Sequence, residues 1–293
     1  MTNRIIQFLI CAIASLTVSV SAFSNENEDL LIDEIGLLTT DSDKRSKLFG
    51  EQDGLFAISK KRDKTYIQAA AAYLSRTPYL GSNMRETRIL PYVRADYRGR
   101  LFISPGLGIG TYLHNTDKLR VTSSLSYSFG RKGDETMLAN DAGKIDGGVK
   151  WINGARIYLP FAAWDNAVTL PLGGDNKGVR YVSSLTTRVK INDKLRFSPG
   201  VRAGFRSKSS NNVVYGITEE QALQAGLSQD DQFEVDGGLM TLSAHIVGEY
   251  NVTDKWTFVG VTSYSALHGD AVDSPLSPKN DGLSFVAAVT RQF

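Results

Sequence analysis

Three residues near the end of the chain have the types needed for a hydrolytic site. His268, Asp270 and Ser274 supply a base, a carboxylate and a hydroxyl group, the members of a nucleophilic triad. The Gly-x-Ser-x-Gly spacing that exposes a nucleophilic serine on a strand-to-helix turn is absent around Ser274. The spacing therefore favours a structured loop over a hydrolase site, and we predict a chain that is not an enzyme.

Metal, nucleotide and nucleic-acid sites are not indicated either. His114, His245 and His268 lack metal-ligand spacing, and the single cysteine, Cys11, lies near the N-terminus. The glycines of segment 106–110 lack the Gly-x-Gly-x-x-Gly spacing of a dinucleotide loop. The net charge is +2 without a dense basic run, which argues against nucleic acid. We therefore predict no metal and no cofactor.

The strongest pattern in the chain is an alternation of apolar and polar residues. In segment 119–130 the odd positions are mostly apolar or aromatic, and the even positions are polar or small. Successive side chains of a strand point to opposite faces, so this segment has one apolar and one polar face. Similar segments recur to the C-terminus, with lengths that suit bilayer-crossing strands of about 9–11 residues. The pattern predicts an all-β fold, an antiparallel transmembrane barrel of about 12 strands, with 10 as the alternative count.

The N-terminal residues indicate export. Arg4 is followed by an apolar run at 5–20, and Val20-Ser21-Ala22 suits signal-peptide cleavage, so residues 1–22 are predicted to be a signal peptide. A membrane anchor is the alternative, but the run is shorter than the ~20 residues a spanning helix needs. Residues 23–63 are polar and are predicted to be a periplasmic segment or simply disordered, and 64–293 the barrel. A soluble sandwich would also alternate, but export without mature-chain cysteines favours the membrane barrel.

The polar faces of the strands carry charges that would point into the barrel. These candidate lumen charges are Arg94, Asp96, Arg98, Lys150, Arg156, Arg180, Arg188, Arg196, Arg202 and Glu249. On the lipid face a charge at mid-depth would cost roughly 2–4 kcal/mol, which assigns these residues to the lumen. They could line an anion pore, or they could form a salt-bridged lumen blocked by long side chains. A barrel of about twelve strands is narrow enough to favour the second interpretation.

Several blocks of residues resemble the MipA/OmpV family of outer-membrane proteins. Two of them are Tyr215-Gly216-Ile217-Thr218 and Gly269-Asp270-Ala271-Val272-Asp273-Ser274-Pro275. The motif residues are Tyr215, Gly216, Gly269, Asp270, Ala271, Ser274 and Pro275. The resemblance runs from about residue 64 to the end, with Ala266 where the family often has arginine. The C-terminal Phe293 is similar to the terminal aromatic residue read by the barrel-assembly machinery.

The resemblance implies a role that composition and spacing do not supply. It implies a non-enzymatic barrel in the cell outer membrane, surrounded by outer-membrane lipid and inserted by the barrel-assembly machinery. It further implies a scaffold for peptidoglycan remodelling, with a lytic murein transglycosylase and a murein synthase as partners on the periplasmic side. A small-solute or anion pore is the alternative function, and an outer-membrane hydrolase is a third. The family signature assigns no contact residues.

Overall fold

The structure, a computed structural model, describes residues 65–136 and 138–293. The predicted signal peptide, 1–22, and the predicted periplasmic segment, 23–63, lie outside the described residues. The strands are β1 Tyr66–Arg76, β2 Glu86–Tyr97, β3 Leu101–Ser104, β4 Gly108–Asn115, β5 Leu119–Arg131, β6 Ile145–Tyr158, β7 Ala162–Pro171, β8 Arg180–Thr187, β9 Val189–Lys190, β10 Leu195–Arg206, β11 Gly238–Asn251, β12 Trp256–Leu267 and β13 Asp281–Gln292. The α-helices are α1 Lys208–Tyr215 and α2 Glu219–Gln224, and short 3₁₀ helices cover Gly133–Glu135, Gln229–Asp231 and Gly269–Val272. In the described residues no helix is long and apolar enough to cross a membrane.

The strands form one antiparallel sheet that closes on itself. β1 pairs with β13 from Gln68↔Gln292 to Ser75↔Phe285, and the other strands pair with their neighbours in chain order, except at β8 and β9. β8 and β9 both pair with β10, so they are one strand interrupted at Arg188. The result is a closed barrel of twelve strands, which confirms the predicted architecture and count. Closure leaves no free sheet edge in the bilayer, where unpaired backbone groups would be costly.

The two ends of the barrel differ in the length of their connections. At one end the turns are short, and the start of β1 and Phe293 lie together there, with the Phe293 amide donating to the Ile67 carbonyl at 2.9 Å. The short turns are 98–100, 116–118, 159–161, 191–194 and 252–255. The opposite end carries the long connections 77–85, 132–144, 172–179, 207–237 and 268–280. Because outer-membrane barrels have short periplasmic turns and long outer loops, we assign the short-turn end to the periplasm and the loop end to the outside.

The outer face of the barrel is apolar, as the alternation predicts. On β5, Leu125 is 53% exposed and Tyr127 48%, whereas Ser124, Ser126 and Ser128 are buried. Other exposed apolar residues are Ile89, Leu101, Ile109, Val149, Trp151, Leu185, Val201, Ile246, Phe258, Leu283 and Val289. A belt of this kind is stable only when lipid tails, rather than water, surround it.

Arg291 lies in this belt near the short-turn end. Its guanidinium lies 5.3 Å from the Trp256 ring centroid and 4.8 Å from that of Phe293. Cation–π contacts with these two rings stabilise a charge at the membrane interface.

The inner face has two halves of different character, one mainly apolar near its middle and the other rich in basic side chains. β11, β12, β13, β1 and β2 direct apolar side chains inward, forming a cluster that we call the apolar wall. Its members are Ala72, Leu74, Leu90, Tyr92, Val247, Val259, Val261, Val286 and Ala288. The basic wall is the opposite half and carries Arg120, Lys150, Arg156, Arg180, Arg188, Arg196 and Arg202. The apolar wall departs from the expected polar lumen, because a narrow closed interior can bury apolar side chains as a soluble core does.

The hydrogen-bonded wall of the barrel is interrupted where β2 and β5 flank the short β3–β4 hairpin. In the described residues β2 pairs with β3 only at Ala95–Tyr97, and β5 pairs with β4 only from Arg120 to Leu125. The β3–β4 connection ends against β5, where the Ser126 hydroxyl donates to the Gly106 carbonyl at 3.1 Å. Toward the loop end β2 and β5 therefore have no ladder partner on this side. Phe129, which is partly buried, packs against the apolar wall from this gap.

Candidate functional site

The basic wall surrounds a cavity of about 130 Å³ in the lumen. Side chains of β2 to β8 and of β10 line it, so the residues that meet here come from distant parts of the sequence. Arg120 and Arg156 lie within four residues of the turns 116–118 and 159–161. The cavity therefore lies in the half of the lumen nearer the short-turn end.

A two-point ion pair fixes one side of the cavity. Arg156 and Asp165 are directly opposite each other on β6 and β7. The Arg156 Nε and Nη2 atoms donate to the two Asp165 carboxylate oxygens at 2.6 and 3.0 Å. Arg156 is 7% exposed, and paired hydrogen bonds of this kind hold a guanidinium in one orientation.

Aromatic rings hold a second guanidinium on the adjacent strands. Arg120 lies 5.6 Å from the ring centroids of both Tyr112 and Tyr158, and its Nε donates to the Asn115 side chain at 3.4 Å. The Tyr112 hydroxyl in turn donates to the Asp96 carboxylate at 2.5 Å. Stacking on tyrosine faces stabilises the buried cation and restricts its motion.

A third cluster lies where the basic wall meets β11. Glu249 is 1% exposed and faces Arg196 directly across the β10–β11 ladder. An Arg188 guanidinium nitrogen lies 3.8 Å from a Glu249 carboxylate oxygen. Arg188 is the residue at which β8 gives way to β9, so the interruption of the strand coincides with this buried pair.

The remaining candidate lumen charges have different positions. Arg94 is 2% exposed and lines the cavity together with Arg202. Lys150 and Arg180 line a second, smaller cavity toward the loop end. Arg98 is not on the inner face: β2 ends at Tyr97, and Arg98 is an exposed turn residue with φ of 53°. The strand alternation does not continue through a turn, which is why the polar-face pattern misplaced this residue.

The structure adds residues that the sequence pattern did not single out. Asp165 and Tyr112 line the cavity, and Arg120 belongs to it as well. Arg120 occupies an even, polar position of segment 119–130, so the alternation could have identified it. Asp165 can be recognised as the partner of Arg156 only when the register of the β6–β7 pairing is known.

The loop end is covered by a folded cap built from connections 77–85, 132–144, 207–237 and 268–280. Its apolar core contains Tyr79, Leu80, Ile145, Val214, Tyr215, Val235, Met240, Leu267 and Ala271. Arg131 at the end of β5 donates to the Gly143 carbonyl at 2.9 Å and to the Val214 carbonyl at 2.7 Å. Contacts of this kind fix the cap to the rim of the barrel.

The family-motif residues lie together in this cap. The Ser274 hydroxyl donates to the Tyr215 carbonyl at 2.6 Å and accepts from the Leu276 amide at 3.1 Å. The Asp270 carboxylate accepts from the Asp236 amide at 3.1 Å. Gly216 is the C-cap of α1, Gly269 and Ala271 belong to the 3₁₀ helix Gly269–Val272, and Pro275 follows Ser274. The motif therefore joins connection 207–237 to connection 268–280.

Helix α2 begins with a capping box. The Thr218 hydroxyl accepts from the Gln221 amide at 3.2 Å, and the Gln221 side chain accepts from the Thr218 amide at 3.0 Å. This reciprocal capping box satisfies two backbone donors at the start of the helix. The Gln221 side chain also donates to the Ala142 carbonyl at 3.0 Å, which links α2 to connection 132–144.

Burial shifts the pKa values of two cap groups. It raises the pKa of the Glu135 carboxyl, against the lowering effect of the Lys132 amide that donates to it. Burial also raises the pKa of the Tyr79 hydroxyl, and the nearby Arg131 opposes this. The Tyr79 hydroxyl donates to the Leu276 carbonyl at 2.6 Å, so it serves as a structural donor within the cap.

The geometry around Ser274 is that of a structural hydroxyl. It is 4% exposed and bonds to two main-chain groups of the cap, with its proton directed to the Tyr215 carbonyl. A nucleophilic serine instead needs that proton within reach of a general base. Within the described ranges, no three His, Cys, Asp or Glu side chains are grouped to hold a metal ion.

Comparisons with known proteins agree with the fold. The family model described as "MltA-interacting protein MipA" matches residues 69–293. The "Putative outer membrane protein YiaT" of Escherichia coli (strain K12) is 23% identical over 245 residues, covering 81% of this chain and 94% of that protein. The same protein of Escherichia coli O157:H7 is also 23% identical over 245 residues.

Solved structures that resemble the chain are outer-membrane proteins at low similarity. The in-vitro folded OmpT of Vibrio cholerae has a TM-score of 0.35 at 10% identity, covering 78% of this chain and 97% of that one. A Pseudomonas aeruginosa FadL homologue has a TM-score of 0.36 at 11% identity, covering 79% and 90%. Likeness at this level gives no information on function.

Proposed function

The chain belongs to the MltA-interacting protein (MipA) family, and from this premise we propose that it is a non-enzymatic outer-membrane scaffold for murein-remodelling enzymes. The barrel lies in the outer membrane. The observation that carries the proposal is the family match over residues 69–293, because the family's description is an interaction with MltA. The partner proposed for this chain is therefore a murein transglycosylase, with a murein synthase as the second enzyme brought to it.

The two ends of the barrel support a periplasmic contact made by the N-terminal segment. The cap is at the loop end, on the side away from the murein layer. At the short-turn end the connections have three or four residues, which leaves little surface for a protein partner. Residues 23–63 precede β1 at this same end, and we propose them as the docking segment.

A co-purification experiment tests this assignment. The full chain would be compared with a variant in which residues 23–63 are replaced by a Gly/Ser linker of equal length. Heat-modifiable migration on gels would show that both barrels are folded. We expect the full chain to retain the transglycosylase and the linker variant to lose it. Equal recovery with both chains would remove the segment from the proposal, and failure of the full chain to retain the enzyme would remove the scaffold role.

The basic wall favours a second candidate function, a pore for small anions. Inward cations lower the barrier for an anion, and the cap over the loop end opposes permeation. Single-channel recording in planar bilayers separates the two: anion-selective conductance supports the pore, and a silent barrel contradicts it.

A further inference from the structure

The interruption of the barrel wall between β2 and β5 is an opening with defined limits. Below it lies the β3–β4 hairpin, whose connection is held to β5 by the bond from the Ser126 hydroxyl to the Gly106 carbonyl. Above it, at the loop end, an Arg88 guanidinium nitrogen lies 3.7 Å from a Glu135 carboxylate oxygen, which joins β2 to connection 132–144. Within the described residues no strand fills the space between these limits, and we call this space the lateral opening.

The lateral opening faces the outer half of the bilayer. At the level of the hairpin, β3 and β4 stand between β2 and β5, so three strand spacings of about 4.8 Å, or ~14 Å in all, separate these two strands. Above the hairpin this space belongs to the loop-end half of the barrel. The lipid-facing residues beside it, Ile89 on β2 and Tyr127 on β5, are 77% and 48% exposed. The neighbours of the opening on its outer side are therefore lipid tails.

A phenyl ring passes through the lateral opening from the lipid side. Phe129 belongs by strand alternation to the same side of β5 as Leu125 and Tyr127, which face lipid. It is nevertheless partly buried and packs against the apolar wall inside the barrel. Its ring also contacts that of Tyr127, with the centroids 5.1 Å apart. A bulky apolar group thus reaches the interior at this point, which a complete sheet would prevent.

The edge of β2 at the lateral opening is less polar than an ordinary strand edge. The Tyr97 carbonyl accepts from the Arg100 amide at 2.9 Å and therefore points toward β3. Main-chain groups alternate sides along a strand, so those of Pro91 point in the same direction, into the opening. Proline has no amide hydrogen, and within sheets it is confined to open edges of this kind. An alkyl chain beside Pro91 would therefore leave no amide donor unbonded at this position.

The inner end of the lateral opening meets an apolar surface. Leu90 and Tyr92 of β2 belong to the apolar wall and are 3% and 2% exposed. Leu107, in the hairpin connection at the lower limit, lines the lumen cavity of about 130 Å³. Methylene groups that entered beside Phe129 would exchange contacts with lipid tails for close contacts with these side chains. The opening thus suits a flexible, apolar and unbranched ligand.

We propose that the lateral opening binds the alkyl chain of a single-chain amphiphile of the membrane, such as a fatty acid. The chain enters from the outer half of the bilayer, takes the place of the Phe129 ring and lies against the apolar wall. One chain is proposed because the volume that it fills is that of one aromatic side chain. This site is separate from the proposed partner contact, which is at the periplasmic end.

Cysteine labelling in phosphatidylcholine liposomes tests the site. Cys11 is the single cysteine and lies in the predicted signal peptide, so the mature chain is a cysteine-free background. Ser128→Cys places a thiol on the inner face of β5 beside the lateral opening, and Ser124→Cys places one on the same face opposite Gly110 of β4. Both serines are 5% exposed, so the two positions are matched in burial. Heat-modifiable migration on gels would show that both variants are folded.

The probes are N-dodecylmaleimide, itself a single-chain amphiphile, and the short N-ethylmaleimide. We expect the ratio of dodecyl to ethyl labelling rates to be at least tenfold higher at position 128 than at position 124. Dodecanoate should slow the dodecyl labelling of Ser128→Cys at least fivefold and saturably, whereas butyrate, which has the same head and a short chain, should not. Equal ratios at the two positions, or no protection by dodecanoate, would overturn the proposal.

A second substitution in the Ser128→Cys background tests the route past Phe129. Phe129→Ala removes the ring that competes for the site and should speed dodecyl labelling at least threefold. Leu125→Ala, on the same side of β5 where β4 is paired, should leave the rate unchanged. Equal rates in the two double variants would contradict entry at Phe129.

A last variant asks whether the chain itself fills the lateral opening. Residues 23–63 would be replaced in Ser128→Cys by the Gly/Ser linker, and dodecyl labelling should stay the same. Labelling that occurs only with the linker would mean that this segment occupies the opening, which would contradict the amphiphile. No partner enzyme is present in these measurements, so their result is independent of the co-purification that tests the scaffold.

Discussion

The apolar wall and the basic wall face each other across one lumen, but different interactions stabilise them. Val259 and Val261 of the apolar wall are 0% exposed, as in the core of a soluble protein. The basic wall instead buries arginines that are held by carboxylates and tyrosine rings. The hydrophobic effect thus stabilises one half of the interior, whereas the other half depends on paired charges. A carboxylate introduced on each wall should therefore cost different amounts of stability.

A carboxylate placed on each wall gives the largest expected contrast. Val261→Asp would bury an unpaired charge and should lower the free energy of unfolding by about 3–5 kcal/mol, the cost of an uncompensated buried charge. Ser184→Asp places the same group beside the basic wall and should cost less than about 1 kcal/mol. Urea unfolding of the refolded barrels measures both. Similar losses in the two variants would contradict the division into walls.

Truncating one leucine on each face of the barrel compares how much the inner apolar wall and the lipid-facing belt contribute to stability. Leu74 is 1% exposed in the apolar wall, and Leu74→Ala should cost about 2–4 kcal/mol through lost burial and a residual cavity. Leu125 is 53% exposed to the bilayer, and Leu125→Ala leaves no enclosed cavity, so its loss should be near 1 kcal/mol. The same urea titration measures this pair, and a larger loss for Leu125→Ala would place the core outside the lumen.

Neutralising a buried carboxylate tests the charge pairing of the basic wall. Glu249→Gln removes the buried negative charge that faces Arg188 and Arg196 and should cost about 2 kcal/mol. Glu234, whose side chain is 76% exposed, contacts Lys208 at 2.8 Å in the cap and serves as the control. Glu234→Gln should change the stability by less than about 0.5 kcal/mol, as is usual for surface pairs. A null result for Glu249→Gln would show that this carboxylate does not stabilise the wall.

The smallest expected effect is confined to the cap. Thr218→Ala removes the capping hydroxyl of α2 and should destabilise that helix by about 1 kcal/mol. Hydrogen exchange should rise in residues 219–224 and stay unchanged in the strands. Faster exchange along β11 or β12 would mean that the cap stabilises the whole barrel.

Several features could be predicted from local sequence. The alternation in segment 119–130 predicts which side chains face lipid, and Leu125 and Tyr127 do so. Asn192 is a residue typical of turns, and in the turn 191–194 its side chain accepts from the amides of Lys194 and Leu195. These predictions succeed because each depends on residues a few positions apart.

Other features could not be read from the strands one at a time. The apolar wall was missed because the inner face was expected to be polar throughout, and Arg98 was misplaced because the strand ends one residue earlier. The family-motif residues Tyr215 and Ser274 stand 59 positions apart, and only the fold of the cap joins them. Contacts of this range depend on which loops the barrel brings to the same end.

The sequence by itself determined the membrane-facing surface, the approximate positions of the strands and the capped start of α2, because each follows from side-chain order along a short segment. Only the tertiary structure decided that one half of the lumen contains an apolar cluster and the other a basic cavity. Closure of β1 on β13 and the register between strands place Arg94, Arg156 and Arg202 around one volume, and no local pattern contains that information.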